Sequence, residues 1–190
     1  MCSSDLIEHR QRAVEAAHRI LNELREQMMH DPLTSLYNRR FLQDCLPREL
    51  IRAKRDRTSL AIIAMDLDHF KRVNDSAGHQ AGDQVLVGVG ALLKRHFRGS
   101  DIACRYGGEE FVVVLPNTTL ESARRRSAQI CSAIRGEAKL LRGVTASLGV
   151  ALYPAHAMDM EALLLAADQA LYEAKGAGRN QVRIFGGASR

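Results

Sequence analysis

Six consecutive apolar residues, Leu60 to Met65, stop abruptly at Asp66-Leu67-Asp68. The run has the length of a strand and shows no polar alternation. It therefore predicts a strand covered on both faces. The acids place carboxylates at the mouth of that strand, where burying a charge is costly unless a cation or a donor answers it.

A second segment carries the same chemistry. Ile102 to Cys104 and Val112 to Leu115 are short apolar runs flanking Arg105-Tyr106-Gly107-Gly108-Glu109-Glu110-Phe111. Paired glycines between two such runs predict a β-hairpin with a tight primed turn, for which glycine supplies the positive φ angles. Taken alone, Glu109 and Glu110 fit a solvated hairpin tip as well as a functional site, since acids beside glycine are common in turns. Together with Asp66 the balance changes, because acids on two strand ends can converge on one divalent cation. Oxygen-only ligands favour Mg²⁺ or Mn²⁺ over zinc, and Mg²⁺ is commonly held by one or two carboxylates together with substrate phosphates. Phosphoryl or nucleotidyl chemistry follows from that combination.

The chain can form a core of its own. Its 190 residues and 46% hydrophobic content suit one domain with an appendage, and 26% charged residues of both signs argue against disorder. No apolar stretch reaches membrane-spanning length and the N-terminus lacks a signal-peptide core, so a cytoplasmic protein is expected. Cys2, Cys45, Cys104 and Cys131 have no paired spacing, which predicts reduced thiols and no zinc site. The net charge of +5 suits an anionic substrate, but no basic tract marks a nucleic-acid surface.

Residues 5 to 30 read as one polar helix with an apolar seam at Ile7, Val14, Ala17, Leu21, Leu24 and Met28. A helix packed on its own domain would show a broader face, so the narrow seam favours a coiled coil. Asp31-Pro32 ends it, because proline disfavours helical geometry in the residue before it. Beyond it the pattern predicts helices over 38–57, 70–74, 84–97, 120–135 and 160–175, with a loop at 78–83. Strands are predicted over 59–65, the hairpin, 144–152 and 181–185, and the order implies an α/β or α+β sandwich with a mixed sheet.

Several blocks carry a family resemblance. Asp31-Pro32-Leu33-Thr34, Asp66-Leu67-Asp68-His69-Phe70-Lys71-Arg72-Val73-Asn74-Asp75, Gly78-His79-Gln80-Ala81-Gly82-Asp83, Gly107-Gly108-Glu109-Glu110-Phe111, Thr145-Ala146-Ser147-Leu148-Gly149 and the stretch from Ala167 to Asn180 occur in this order. They resemble the GGDEF family of diguanylate cyclases, in the variant with glutamate at the third signature position, over residues 31–185. The resemblance implies a mixed central sheet flanked by helices, related to the palm of polymerases and to class III nucleotide cyclases. It divides the chain into a signalling helix at 1–30, a cyclase domain at 31–185 and a tail at 186–190.

The resemblance also implies a reaction, in which two GTP molecules condense to cyclic di-GMP and two pyrophosphates across a homodimer. Asp66, the Leu67 carbonyl and Glu109 carry over as ligands of Mg²⁺ or Mn²⁺, with Glu109 as proton acceptor and Glu110 as the adjoining catalytic acid. In a regular strand Glu109 and Glu110 would point to opposite faces and so do different work. Asn74 and Asp83 match guanine-recognising positions, Leu33, Phe70 and Leu86 the base pocket, and Lys71, Lys175 and Arg179 the phosphate contacts. Without the resemblance, plainer readings hold: Asn74 as a helix cap, Asp83 as the N-cap of a helix starting at Gln84, and Lys175 and Arg179 as solvated cations suiting a helix end. Arg98-Gly99-Ser100-Asp101 resembles the RxxD site at which the product inhibits the enzyme. Gln129 departs from a supporting arginine of many members, which puts the strength of inhibition in question. An upstream sensor, on this chain or another, is the implied partner. A catalytically silent cyclic di-GMP receptor, a dimerisation module and a cyclase that accepts ATP are the competing readings.

Overall fold

The unalternating run forms the middle of the sheet. In the computed structural model, which describes residues 10–12, 14–16, 19 and 28–186, strand β2 (Leu60–Asp68) is buried along its whole length. It pairs antiparallel with β4 (Glu110–Pro116) on one side and with β5 (Thr145–Tyr153) on the other. Two short outer strands complete one side, β1 (Tyr37–Asn38) running parallel to β3 (Ile102–Arg105), and β6 (Val182–Ile184) runs parallel to β5 on the other. The six-stranded order is β1-β3-β4-β2-β5-β6.

The period of two along β2 sorts its side chains between two cores. Ala61, Ile63, Met65 and Leu67 join the cluster formed with α2 (Phe70–Ala77), α3 (His79–His96) and α4 (Leu120–Gly136). Leu60, Ile62 and Ala64 join the cluster formed with α1 (Arg39–Asp56) and α5 (Met160–Gly176). Asp66 continues the second register, which turns it toward the face that α5 covers.

Helix starts follow local chemistry. The side chains of Asn38, Thr119 and Asp159 accept hydrogen bonds from Phe41, Ser122 and Ala162 backbone amides at 3.0, 3.2 and 2.8 Å, capping α1, α4 and α5. α1 continues through Pro47. Cys104 and Cys131 are free, buried thiols, and burial pushes Cys104 up to about 12.

Three expectations are corrected. β2 extends past Met65, so Asp66 and Asp68 lie within the strand, Asp68 opposite Thr145. The 78–83 stretch is helical from His79: Gly78, at φ 81° and ψ 163°, both ends α2 and precedes α3, so one residue does the work of the predicted loop. Asp83 is therefore inside a helix and not its N-cap. Lastly, neither Gly107 nor Gly108 adopts the left-handed region, and the hairpin closes over the five residues 106–110 beyond the Arg105–Phe111 pair. A Cβ on Gly107 would lie 2.8 Å from Glu110 Oε2, a contact that rotation of the exposed Glu110 side chain would relieve.

Helical residues are described at 10–12, 14–16, 19, 28 and 29. Val14 and Met28 of the predicted seam are each 55% exposed. Ile7, Ala17, Leu21 and Leu24 lie outside the described residues, as do 187–190 of the expected tail. No helix among the described residues is long and apolar enough to cross a membrane.

Candidate active site

The ends of β2, β4 and α5 meet at a cluster of charge. Asp66 and Glu110 are cross-strand partners, and Leu67 donates its amide to the Glu109 carbonyl at 3.3 Å. From the last turn of α5, Lys175 Nζ reaches Asp66 Oδ2 at 2.8 Å. Burial, and then the negative charge of Asp66, hold the Glu109 carboxyl above its ordinary value; Lys175 pulls it down and Glu110 pushes it up. Glu110 lies at the start of β4 beside a hollow of about 320 Å³ that also touches Leu164, Leu165 and Asp168. Glu109 precedes the strand, so the period-two argument, which needs both acids in a regular strand, does not apply to the pair.

Two repelling carboxylates already answered by one ammonium group form a set of oxygen donors that fits a further hard cation. Among the described residues no three His, Cys, Asp or Glu side chains converge for a metal. Asp66, Glu109 and the Leu67 carbonyl are the oxygen donors that could hold a divalent ion here, leaving positions for phosphate oxygens. Asp68 does other work: it accepts from Thr145 Oγ1 and Ser147 Oγ, both at 2.7 Å, and from the Asn180 amide at 3.0 Å. Those bonds fasten the turn containing Arg179 to the end of β2.

The α2–α3 pair builds a neighbouring recess. A Cβ on Gly82 would lie 2.0 Å from Asn74 Oδ1 and 3.0 Å from Phe70 Cζ, so the bare glycine leaves room for the Asn74 side chain beside exposed Asp83. Phe70 and Leu86 are buried in the adjoining core, with Leu33 partly buried against it. Lys71 is exposed on the first turn of α2 and makes no polar contact among the described residues.

Arg98 and Asp101 stand apart, at the opposite end of β3 from the hairpin tip. Asp101 accepts the Arg98 backbone amide at 2.7 Å, and its carboxylate pairs with Arg126 of α4. They line a hollow of about 460 Å³ together with Arg125, Gln129, Thr118 and Ser122. The Arg126 guanidinium also lies 5.0 Å from the centre of the Phe97 ring. Sequence reasoning missed Arg126, although it sits one helical turn before Gln129 and shares its face.

Arg105 was also missed. Its Nη1 contacts both Asp31 oxygens at 3.2 and 3.1 Å, while Nε and Nη2 donate to the Gly108 carbonyl at 3.0 and 2.9 Å. Burial pushes the Asp31 carboxyl up, but hydrogen bonds from Thr34 and then Arg105 outweigh it and hold the group below its ordinary value. A carboxylate lowered in the folded state stabilises above its unfolded value, near pH ~4, and that stabilisation is lost as pH falls through the folded value. Asp31→Asn should therefore reduce the fall in thermal midpoint between about pH 5 and pH 3. An unchanged acid limb in melting curves would contradict the assignment.

Comparison with known proteins agrees with this geometry. Residues 28–181 match the family described as diguanylate cyclase, GGDEF domain. The chain is 40% identical over 174 residues to diguanylate cyclase DgcP of Pseudomonas aeruginosa, covering 90% of this chain and 26% of DgcP. It spans 26–48% of the first three curated relatives it matches. Among solved structures, the coiled coil and GGDEF domain of DgcB from Caulobacter crescentus, in complex with c-di-GMP, superposes with a TM-score of 0.86 at 29% identity, covering 95% of this chain and 98% of that one. That span reaches into the N-terminal helix and matches the coiled-coil architecture. The active GGEEF domain of a diguanylate cyclase from Vibrio cholerae gives a TM-score of 0.75 at 34% identity, over 80% of this chain and 98% of that one. With the signature at its hairpin tip, the acids of β2 beside it and this match over most of its length, the chain belongs to the GGDEF domain family of diguanylate cyclases.

Proposed function

We propose that this chain makes cyclic di-GMP from two GTP molecules, each of two facing domains holding one nucleotide. The observation that carries the reading is the convergence of Asp66, the Leu67 backbone, Glu109 and Lys175 at one end of the sheet. Asp66, the Leu67 carbonyl and Glu109 would hold Mg²⁺ or Mn²⁺, which when bound offsets phosphate charge and eases ionisation of the attacking hydroxyl. Lys175, Arg179 and Lys71 bind the phosphates. Glu109 takes the proton of the 3′-hydroxyl, whose oxygen bonds to the α-phosphorus of the other nucleotide while the α–β phosphoanhydride bond breaks and pyrophosphate leaves. Two such steps close the ring. Glu110, the adjoining acid at the start of β4, supports the reaction from beside Glu109.

Asn74 and Asp83 select guanine, because its N1–H and N2–H edge supplies donors that adenine lacks. Leu33, Phe70 and Leu86 form the apolar side of that pocket. Gly82→Ala pushes Asn74 aside and should raise KM for GTP about 10- to 100-fold, as expected for losing a hydrogen bond of this kind, with little change in thermal midpoint. An unchanged KM would remove Asn74 from the pocket.

Domain boundaries at residues 30 and 185, the coiled-coil helix as dimerising element, an upstream sensor and a cytoplasmic site of action belong to the same proposal. So does product inhibition at Arg98 and Asp101. The 460 Å³ hollow sets three arginines, Arg98, Arg125 and Arg126, around one carboxylate, which suits a dianionic ligand. Arg98→Ala should raise the product concentration that halves the rate by about tenfold or more, the scale of one charge-assisted hydrogen bond. Unchanged inhibition in progress curves would refute the site.

The deciding experiment incubates the full chain with GTP and Mg²⁺ at several protein concentrations and follows pyrophosphate and cyclic di-GMP. Product with a specific activity that rises with protein concentration supports a two-domain reaction. Binding of cyclic di-GMP without turnover would make the chain a receptor instead.

A further inference from the structure

Glu109 sits at a hairpin tip whose backbone ties are the Leu67 amide on the Glu109 carbonyl at 3.3 Å and the Tyr106 and Gly107 amides on the Glu110 carbonyl at 2.8 and 3.3 Å. A Cβ on Gly108 would meet nothing within 4 Å, and Gly108 itself is exposed. The carbonyl of the peptide joining Gly108 to Glu109 accepts two bonds from one side chain, Arg105 Nε and Nη2. On its other edge the same guanidinium grips Asp31, 74 residues away in sequence.

Asp31 is itself tightly held. Its Oδ1 accepts from the Thr34 amide at 2.8 Å and from Thr34 Oγ1 at 2.7 Å, and its own amide donates to the Leu36 carbonyl at 2.7 Å. Asn38, the cap of α1, reaches back through Nδ2 to the Met28 carbonyl at 2.7 Å and the His30 carbonyl at 3.3 Å. His30 stacks on Tyr37, and Tyr37 stacks on Phe41 of α1. The segment leaving the N-terminal helix is thus clasped to the domain at the point where Arg105 begins.

We propose that Arg105 is a positioning residue that ties the segment at residues 28–31 to the Gly108–Glu109 peptide, so that the placement of Glu109 depends on how the N-terminal helix enters the domain. The proposal rests on the reading of Glu109 as part of a cyclase site. Its physical basis is the guanidinium fork: a planar group with donors on two edges holds both partners in one geometry, which an ammonium cannot do. A displacement of Asp31 is passed to the tip because both partners hydrogen-bond to one rigid plane.

The test uses the full chain with Arg105→Lys, which keeps the charge and loses the fork, and separately with Asp31→Asn. Amide hydrogen exchange of residues 106–110 is measured without nucleotide or metal, beside turnover, KM for GTP and half-saturating Mg²⁺. Both variants are expected to exchange faster at 106–110 with the core of β2 and β5 still protected. Turnover should fall, and half-saturating Mg²⁺ rise, by about 10- to 100-fold, the range for groups that orient a ligand, while KM for GTP changes less than about twofold. Unchanged exchange at 106–110, or equal loss of protection across the whole sheet, overturns the proposal. If the unaltered chain turns over no GTP, the cyclase reading fails and catalytic positioning fails with it, whereas faster exchange at 106–110 alone still supports the mechanical tie.

Discussion

Asp66→Asn is expected to abolish cyclic di-GMP formation, with a loss on the order of 10³-fold or more, because each 1.36 kcal/mol of lost transition-state stabilisation is a factor of ten and a bound cation supplies several kcal/mol. The substitution preserves shape and removes charge. It also releases Lys175 from its 2.8 Å contact and relieves the repulsion on Glu109, whose carboxyl should then fall toward its ordinary value. The measurement is pyrophosphate release at saturating GTP, with circular dichroism to confirm the fold. Activity within about tenfold of the unaltered chain would show that Asp66 holds no essential cation, since losses attributed to metal ligands are larger.

The second large effect concerns stability. Gly149 lies on β5 between Ala64 of β2 and Arg183 of β6, and α5 crosses directly above it. A Cβ there would be 2.1 Å from the Ala167 carbonyl oxygen and 2.2 Å from the Leu171 nitrogen. Both are helix backbone, so no side-chain rotation relieves the clash and α5 must move as a body. Gly149→Ala should cost about 3 kcal/mol or more, at or above the upper end of overpacking penalties. In a domain of this size that lowers the thermal midpoint by roughly 6–12 °C. Since α5 also carries Lys175, activity should decline at temperatures where the variant remains folded. A midpoint within about 2 °C of the unaltered chain would mean the helix has slack that the close approach denies.

Much of this architecture was legible in the chain because hydrophobic period reports burial directly. Leu60 to Met65 has the length and unbroken apolarity of a buried strand, and the inner faces of α1, α3, α4 and α5 follow helical spacing. Misreadings arose where tertiary contacts replace local signals. Asp66 and Asp68 look like a strand's exit, but Thr145, Ser147 and Asn180 satisfy Asp68 from across the sheet and keep β2 extended. His79, Gln80 and Asp83 have loop-like polarity, yet buried Ala81 and Gly82 supply the inner face of a helix. β1 is two residues long, too short for a period to show.

The site divides in the same way. Acids at strand ends announce themselves, whereas the partners Arg105 and Arg126 do not, because arginine on a surface is ordinary until a carboxylate distant in sequence is found opposite it. Asp31 and Arg105, and Asp101 and Arg126, are pairs that only the fold brings together.

The two shortest strands occupy the two borders of the sheet, β1 on one and β6 on the other. Five inter-strand spacings of about 4.8 Å separate these borders by about 24 Å. Joining the ends of the 37–184 unit to make a circular permutant would need a bridge of about seven extended residues at the least, since each spans at most about 3.6 Å. Head-to-tail fusion meets no such barrier: a module added after β6 emerges at the border opposite the clasp formed by Asp31 and Arg105. A reporter protein attached there would leave the hairpin tip's fastening untouched, while one inserted between residues 28 and 37 would pull on it directly.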